Sequence, residues 1–167
     1  IWMLQTKRAD FSGIAARFHI SPVTARIIRN RDVEGETAID RYLNGTLDQL
    51  YDPHLMKDMD KAASLILEKI QAGARIRIVG DYDIDGVCST YLLYRGLSRC
   101  GGHVDYQIPE RIRDGYGINE SIIRKAKEDG IDTIVTCDNG IAALEQVRLA
   151  KELGMTVIVT DHHEVVR

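Results

Sequence analysis

Three short segments concentrate side chains that bind metal ions or move protons: "GDYDIDG" at 80–86, "TCDNG" at 136–140 and "TDHHE" at 160–164. They supply five aspartates, Asp81, Asp83, Asp85, Asp138 and Asp161, and the adjacent pair His162 and His163. A single aspartate after a strand normally does no more than cap the next helix. Carboxylates gathered from three segments into one place cannot all stay ionised without cations, so the set implies divalent metal or strongly shifted pKa values. Oxygen ligands with imidazole suit Mn²⁺, with Mg²⁺ as the alternative, and the lack of cysteine thiolates in the set argues against structural zinc.

Neighbouring side chains on extended backbone point to opposite faces, so only one of His162 and His163 is expected to reach the same metal pair. The other would face substrate, to contact a phosphate or shuttle a proton. Between the first two segments, "IPERIRDGYGINE" offers Arg111 and Arg113 beside Gly115-Tyr116-Gly117, guanidinium groups suited to a phosphate near the metals. Asp-x-Asp-x-Asp-Gly is also the opening of a calcium loop, but the closing Glu of such a loop would fall on Leu92. Neither a G-x-G-x-x-G fingerprint nor the Lys-Ser/Thr of a phosphate-binding loop is present, which leaves metal to hold phosphate.

All three segments follow apolar runs. From Arg75 onward the chain repeats strand, glycine, helix: "RIRIVGD", "GVCSTYLLYRGLSRC", "HVDYQIP", "NESIIRKAKEDG" with Asn119 as cap, "DTIVTCDNG", "IAALEQVRLAKELG" and "TVIVTD". Alternation with short turns forces parallel pairing through right-handed crossovers, hence an α/β fold with an open parallel sheet and helices on both faces. Ligands of such sheets gather at the carboxyl ends of the strands, where the acidic segments fall. Upstream, 1–60 reads as small helices, with Ser12 and Ser21 as N-caps and Pro22 in a first turn. An amphipathic helix is predicted over 56–71, and 61–167 is expected to form the α/β domain.

The 167 residues suffice for one domain of ordinary size with a small helical appendage. With 44% hydrophobic and 28% charged residues the composition is globular, and a net charge of -3 shows no basic excess for nucleic acid. Cys88, Cys100 and Cys137 are few, odd in number and without C-x-x-C spacing, which suits a reducing cytoplasm. No apolar run reaches the roughly 18 to 20 residues of a membrane span. A first residue of Ile1 and an end just after a strand lead us to expect a piece of a longer chain.

"GDYDIDG", "TCDNGI" and "VTDHHE", in this order, resemble the first three motifs of the DHH phosphoesterase superfamily. "IPERIRDGYGINE", with "DPHLMKDMDKA" upstream, resembles its RecJ branch of single-strand-specific 5′→3′ exonucleases, and the likeness runs from Trp2 to Glu164. The resemblance implies a Rossmann-like DHH domain whose N-terminal part is 61–167, with the rest of the domain and a DHHA1 region beyond it. It implies Asp83 and Asp85 as metal ligands, Asp81 as ligand or neighbour, Asp138 as the catalytic carboxylate bridging two ions, and His162 as imidazole ligand. His163 matches a catalytic, substrate-facing histidine, and Asp161 orients the residues after it. The family's fourth motif, with a further metal-binding aspartate, lies past these three, so the piece alone is expected to be inactive.

The expected chemistry is two-metal phosphodiester hydrolysis, with two Mn²⁺ or Mg²⁺ ions about 3.5 to 4 Å apart. The resemblance makes the substrate single-stranded DNA, in recombination and repair, with single-strand-binding protein as a partner through other regions. One rival is hydrolysis of short oligonucleotides or cyclic dinucleotides by the same metals. Another is a helix-turn-helix regulator with an α/β sensor domain, suggested by "IAARFHISPVTARIIRN" and its Arg26, Arg29 and Arg31. A phosphoacceptor receiver domain also places acids at strand ends, but needs neither histidine.

Overall fold

The computed structural model describes residues 7–110, 112 and 115–164. The chain divides into two compact units, one ending at Leu55 and the other beginning at Met56.

The first unit holds helices α1 (Phe11–Phe18), α2 (Pro22–Asn30) and α3 (Glu36–Asn44), then two single turns of 3-10 helix, Leu47–Gln49 and Pro53–Leu55. Helix α2 starts as its sequence predicts: Ser21 accepts the Thr24 N–H at 3.0 Å and Pro22 takes the first position, where no N–H is needed. Helix α1 does not start at the predicted cap. Asp10 accepts the Gly13 N–H at 2.9 Å, and Ser12 lies inside the helix, because the Asp10 carboxylate already satisfies that orphan donor. Arg26 lies over the Phe11 ring, 4.3 Å from its centroid, and Arg29 pairs with Glu34 at 2.9 Å. Two of the three arginines that suggested a DNA-reading helix are thus engaged within their own unit.

In the second unit, helix α4 (Met59–Gln71) begins later than its apolar pattern predicts, since Asp58 adopts a left-handed conformation (φ 58°) that no α-helix continues through. Then come β1 (Arg75–Val79), α5 (Ile84–Arg99), β2 (His103–Gln107), α6 (Glu120–Glu128), β3 (Thr133–Cys137), α7 (Leu144–Glu152) and β4 (Thr156–Thr160). All pairings are parallel and the strand order is β2-β1-β3-β4. Both faces are covered. Ile76, Val135 and Ile158 pack against Leu65, Ile66 and Ile70 of α4 and Leu93 and Leu97 of α5. Val79 and Ile134 pack against Ile122, Ile123 and Ala126 of α6 and Ala150 of α7. Strand β3 is buried along its whole length, which is why its sequence shows no polar alternation.

After β1 the chain adds β2 on one side and returns to add β3 on the other, so the sheet's switch point lies between the carboxyl ends of β1 and β3. Helix α5 leaves this point with no room to spare. A Cβ on Gly86 would lie 2.6 Å from the Asp81 nitrogen and carbonyl carbon, while one on Gly96 of the same helix would meet nothing within 4 Å. Gly86→Ala should therefore lower stability by about 1 to 3 kcal/mol, the usual cost of overpacking. Gly96→Ala should be neutral or stabilising by up to about 1 kcal/mol through helix propensity. Urea unfolding of both variants checks the pair; equal effects would contradict the packing argument.

Candidate metal centre

The three acidic segments meet at the switch point. Past β1, Asp81 is 1% exposed, and Asp83 caps α5 by accepting the Gly86 N–H at 2.9 Å. Past β3, Asp138 takes a left-handed conformation (φ 61°), its N–H donates to the Thr160 carbonyl at 3.1 Å, and its side chain is buried. Past β4 come Asp161, His162 and His163. Ligand atoms of Asp81, Asp83 and Asp138 lie within 4.8 Å of one another, and so do those of Asp138, His162 and His163. Asp138 belongs to both groups. Asp85 sits in the first turn of α5, exposed, and joins neither. Arg111 and Arg113 fall outside the described residues.

The two histidines do not diverge as alternation predicts. Their ring centroids are 4.6 Å apart, because β4 stops at Thr160 and the backbone bends at His163, so the period of two no longer applies. The His162 Nε2 is 2.8 Å from Asp138 Oδ1. The buried Asp161 carboxylate accepts the Ile141 N–H at 2.9 Å, the His163 N–H at 3.1 Å and the His163 ring Nδ1 at 2.7 Å. An ionised carboxylate is only an acceptor, so Nδ1 carries the proton and Nε2 is the unprotonated nitrogen of the neutral ring.

Two further residues complete the geometry. Tyr116 donates its hydroxyl to the Asp138 carbonyl at 3.0 Å, and its ring meets those of Tyr82 and His163 edge-on, at 6.4 and 6.1 Å between centroids. Asn139, 1% exposed, donates its amide to the Val79 and Cys137 carbonyls, both at 3.0 Å, and accepts the Ile118 N–H at 3.1 Å. Neither stands out in the sequence by type. The available signal was the Asp138-Asn139-Gly140 turn, whose first and last residues have positive φ (61° and 107°).

The carboxylates are driven apart in acidity. Asp83 is held below the ordinary range, chiefly by the Gly86 N–H. Asp138 is raised, first by burial and further by the Asp83 charge, against the contrary pull of His162. Burial also pushes Asp161 upward, but the Ile141 N–H and His163 outweigh it and its pKa is lowered. His163 is raised, mainly through its bond to Asp161. Burial and four surrounding carboxylates push Tyr116 up to about 12, so it remains a donor at neutral pH.

A divalent ion fits this donor set: carboxylate oxygens and imidazole nitrogens converge from three segments, and Asp81 Oδ1 is buried with no hydrogen-bond partner among the described residues. Without such an ion the Asp138 charge is a liability. A raised pKa means that the folded state holds the proton more tightly than the unfolded one, so this group's contribution to stability falls as pH rises above the ordinary carboxylate value. In chelator at neutral pH, Asp138→Asn should unfold at a higher temperature than the parent chain, and Mn²⁺ titration should show weakened ion uptake. A lower melting point in the variant would contradict the assignment of strain to Asp138.

The profile described as "DHH family, N-terminal domain" matches residues 75–167. The single-stranded-DNA-specific exonuclease RecJ of Bacillus subtilis is 39% identical over 164 residues, covering 98% of this chain and 21% of that protein. The enzyme of the same name from Escherichia coli is 34% identical over 145 residues, 86% of this chain and 24% of its own. The chain thus spans about a fifth to a quarter of the length of these relatives. A crystal structure of exonuclease RecJ bound to manganese superposes with a TM-score of 0.66 at 37% identity, covering 71% of this chain and 30% of the other. That of RecJ in complex with Mn²⁺ from Thermus thermophilus gives 0.64 at 29% identity, with 94% and 21% covered. The match over 75–167, on the elements that carry the three acidic segments, establishes that the chain belongs to the DHH family.

Proposed function

We propose that this chain carries part of the active site of a Mn²⁺- or Mg²⁺-dependent phosphodiesterase, a single-stranded-DNA-specific exonuclease that digests from the 5′ end in recombination and repair. The observation that carries this reading is Asp138, a buried carboxylate shared by two groups of metal-ligand atoms, in a chain 34 to 40% identical to exonucleases named for single-stranded DNA. Divalent ions held there would supply an activated water and neutralise the phosphate and the leaving oxygen.

The chain's own residues prepare that chemistry. Asp81 and Asp83 would hold the ions on one side of the centre and His162 on the other, with Asp138 common to both groups. Asp85 serves through its main-chain N–H, which helps keep Asp83 ionised, while its carboxylate stands outside both groups. Asp161 fixes the ring of His163 and favours its protonated form, which suits contact with a phosphate or delivery of a proton to the leaving oxygen. Arg111 and Arg113 stand as phosphate contacts on sequence grounds. The domain division read from the sequence, helices over 1–60 and the DHH portion over 61–167, belongs to this proposal, with further family motifs required for activity. A cytoplasmic location agrees with the free Cys88, Cys100 and Cys137, and single-strand-binding protein is the proposed partner. No helix among the described residues is long and apolar enough to cross a membrane.

In the full-length protein with Mn²⁺, 5′-tailed DNA should be digested to mononucleotides. Asp138→Ala should reduce the rate by at least roughly 100-fold, the scale of losing one preorganised charge-stabilising group. Undiminished digestion by that variant would overturn the proposal. Faster cleavage of a dinucleotide than of a long strand would instead favour an oligonucleotide phosphodiesterase.

A further inference from the structure

Past the last pair of the β1–β3 ladder, Val79 with Thr136, the backbone groups of the two strands need other partners. The Asn139 side chain provides one for the last carbonyl of each strand. Its amide nitrogen donates to Val79 at the end of β1 and to Cys137 at the end of β3, and its oxygen accepts from Ile118 in the segment before α6. One fully buried side chain therefore joins three backbone points that come from separate segments of the sequence. The segment before α6 is fastened a second time, by the Tyr116 hydroxyl on the Asp138 carbonyl. The fit is close: a Cβ on Gly117 would lie 3.0 Å from that of Asn139.

Asp138 occupies the left-handed region, which is unfavourable for a residue with a Cβ and persists only where surrounding bonds impose it. Its own N–H is held by Thr160, its carbonyl by Tyr116, and the residue before it by the Asn139 amide. We propose that Asn139 is a positioning residue for the metal centre, holding the Asp138 carboxylate where the two donor groups meet and Tyr116 against it. The proposal rests on the reading of Asp138 as a metal-binding group. Asparagine alone meets the requirement at this size, since two donors and one acceptor are used at once. Aspartate keeps the shape but turns an acceptor on two carbonyls, and serine is too short to span the three points.

The test is Mn²⁺ affinity in the full-length protein, measured by electron paramagnetic resonance of the free ion, together with the thermal midpoint in chelator. Asn139→Asp should weaken Mn²⁺ binding by roughly 10- to 100-fold, the range for residues that orient metal ligands. Tyr116→Phe keeps the ring, removes only the bond to Asp138, and should weaken binding by a smaller factor. The double variant should lose less than the product of the two, because both act on one turn. Wild-type affinity in folded Asn139→Asp overturns the proposal, as does a lowered thermal midpoint with unchanged affinity. Should Asn139→Asp fail to fold, wild-type affinity in Tyr116→Phe overturns it. Parent protein that takes up no Mn²⁺ removes its basis. Parent protein that binds Mn²⁺ but leaves DNA intact defeats the nuclease reading alone, because ion binding is read directly.

Discussion

The parallel pairing of β1 with β3 is the constraint from which the rest of the second unit follows. With Val79 opposite Thr136, the turns that follow the two strands emerge side by side and bring Asp81 and Asp138 together in a buried place. Parallel pairing demands crossover connections, and the helices that make them cover both faces and exclude water from the strands. The sheet that builds the fold thus also concentrates negative charge at its carboxyl edge.

The same sheet shows how such charge is handled where no removable cation is needed. Arg77, in the middle of β1, is 8% exposed, and Asp105 and Asp129 grip its guanidinium at 2.7 to 3.0 Å. That cluster contains its own permanent cation. Among the described residues no lysine or arginine pairs with Asp81, Asp83 or Asp138: Asp83 and Asp138 bond to backbone N–H, to His162 and to each other, and one oxygen of Asp81 has no partner there. Converging carboxylates with a buried oxygen lacking a partner among the described residues suit an exchangeable divalent ion, at some expense to the stability of the chain without it. Asn139, Tyr116 and Asp161 tie the turns that carry these groups to backbone and to His163 through hydrogen bonds.

Much of the site was legible because its residues lie directly after apolar strands in a repeating pattern. "RIRIVGD", "DTIVTCDNG" and "TVIVTD" read as buried parallel strands, and the rule that ligands gather at their carboxyl ends pointed to Asp81, Asp83, Asp138 and the histidines together. Local rules failed where their premise ended. Alternation put His162 and His163 on opposite faces, but the strand had already stopped at Thr160. Ser12 had the right type for a cap, but Asp10 reached the same donor first.

The sequence by itself determined the order of strands and helices, the parallel class of the sheet and the types of ligand delivered to its edge. All of these follow from periodicity, turn residues and side-chain chemistry within a few positions. Only the tertiary structure decided that Asp138 is shared by two groups of donors, that Asp161 holds His163, and that Asn139 and Tyr116 bind the 115–118 segment to the turn after β3. Most of those contacts join residues about 20 or more positions apart through bonds of about 3 Å. They depend on the register of strands brought together across the fold, which no local pattern encodes.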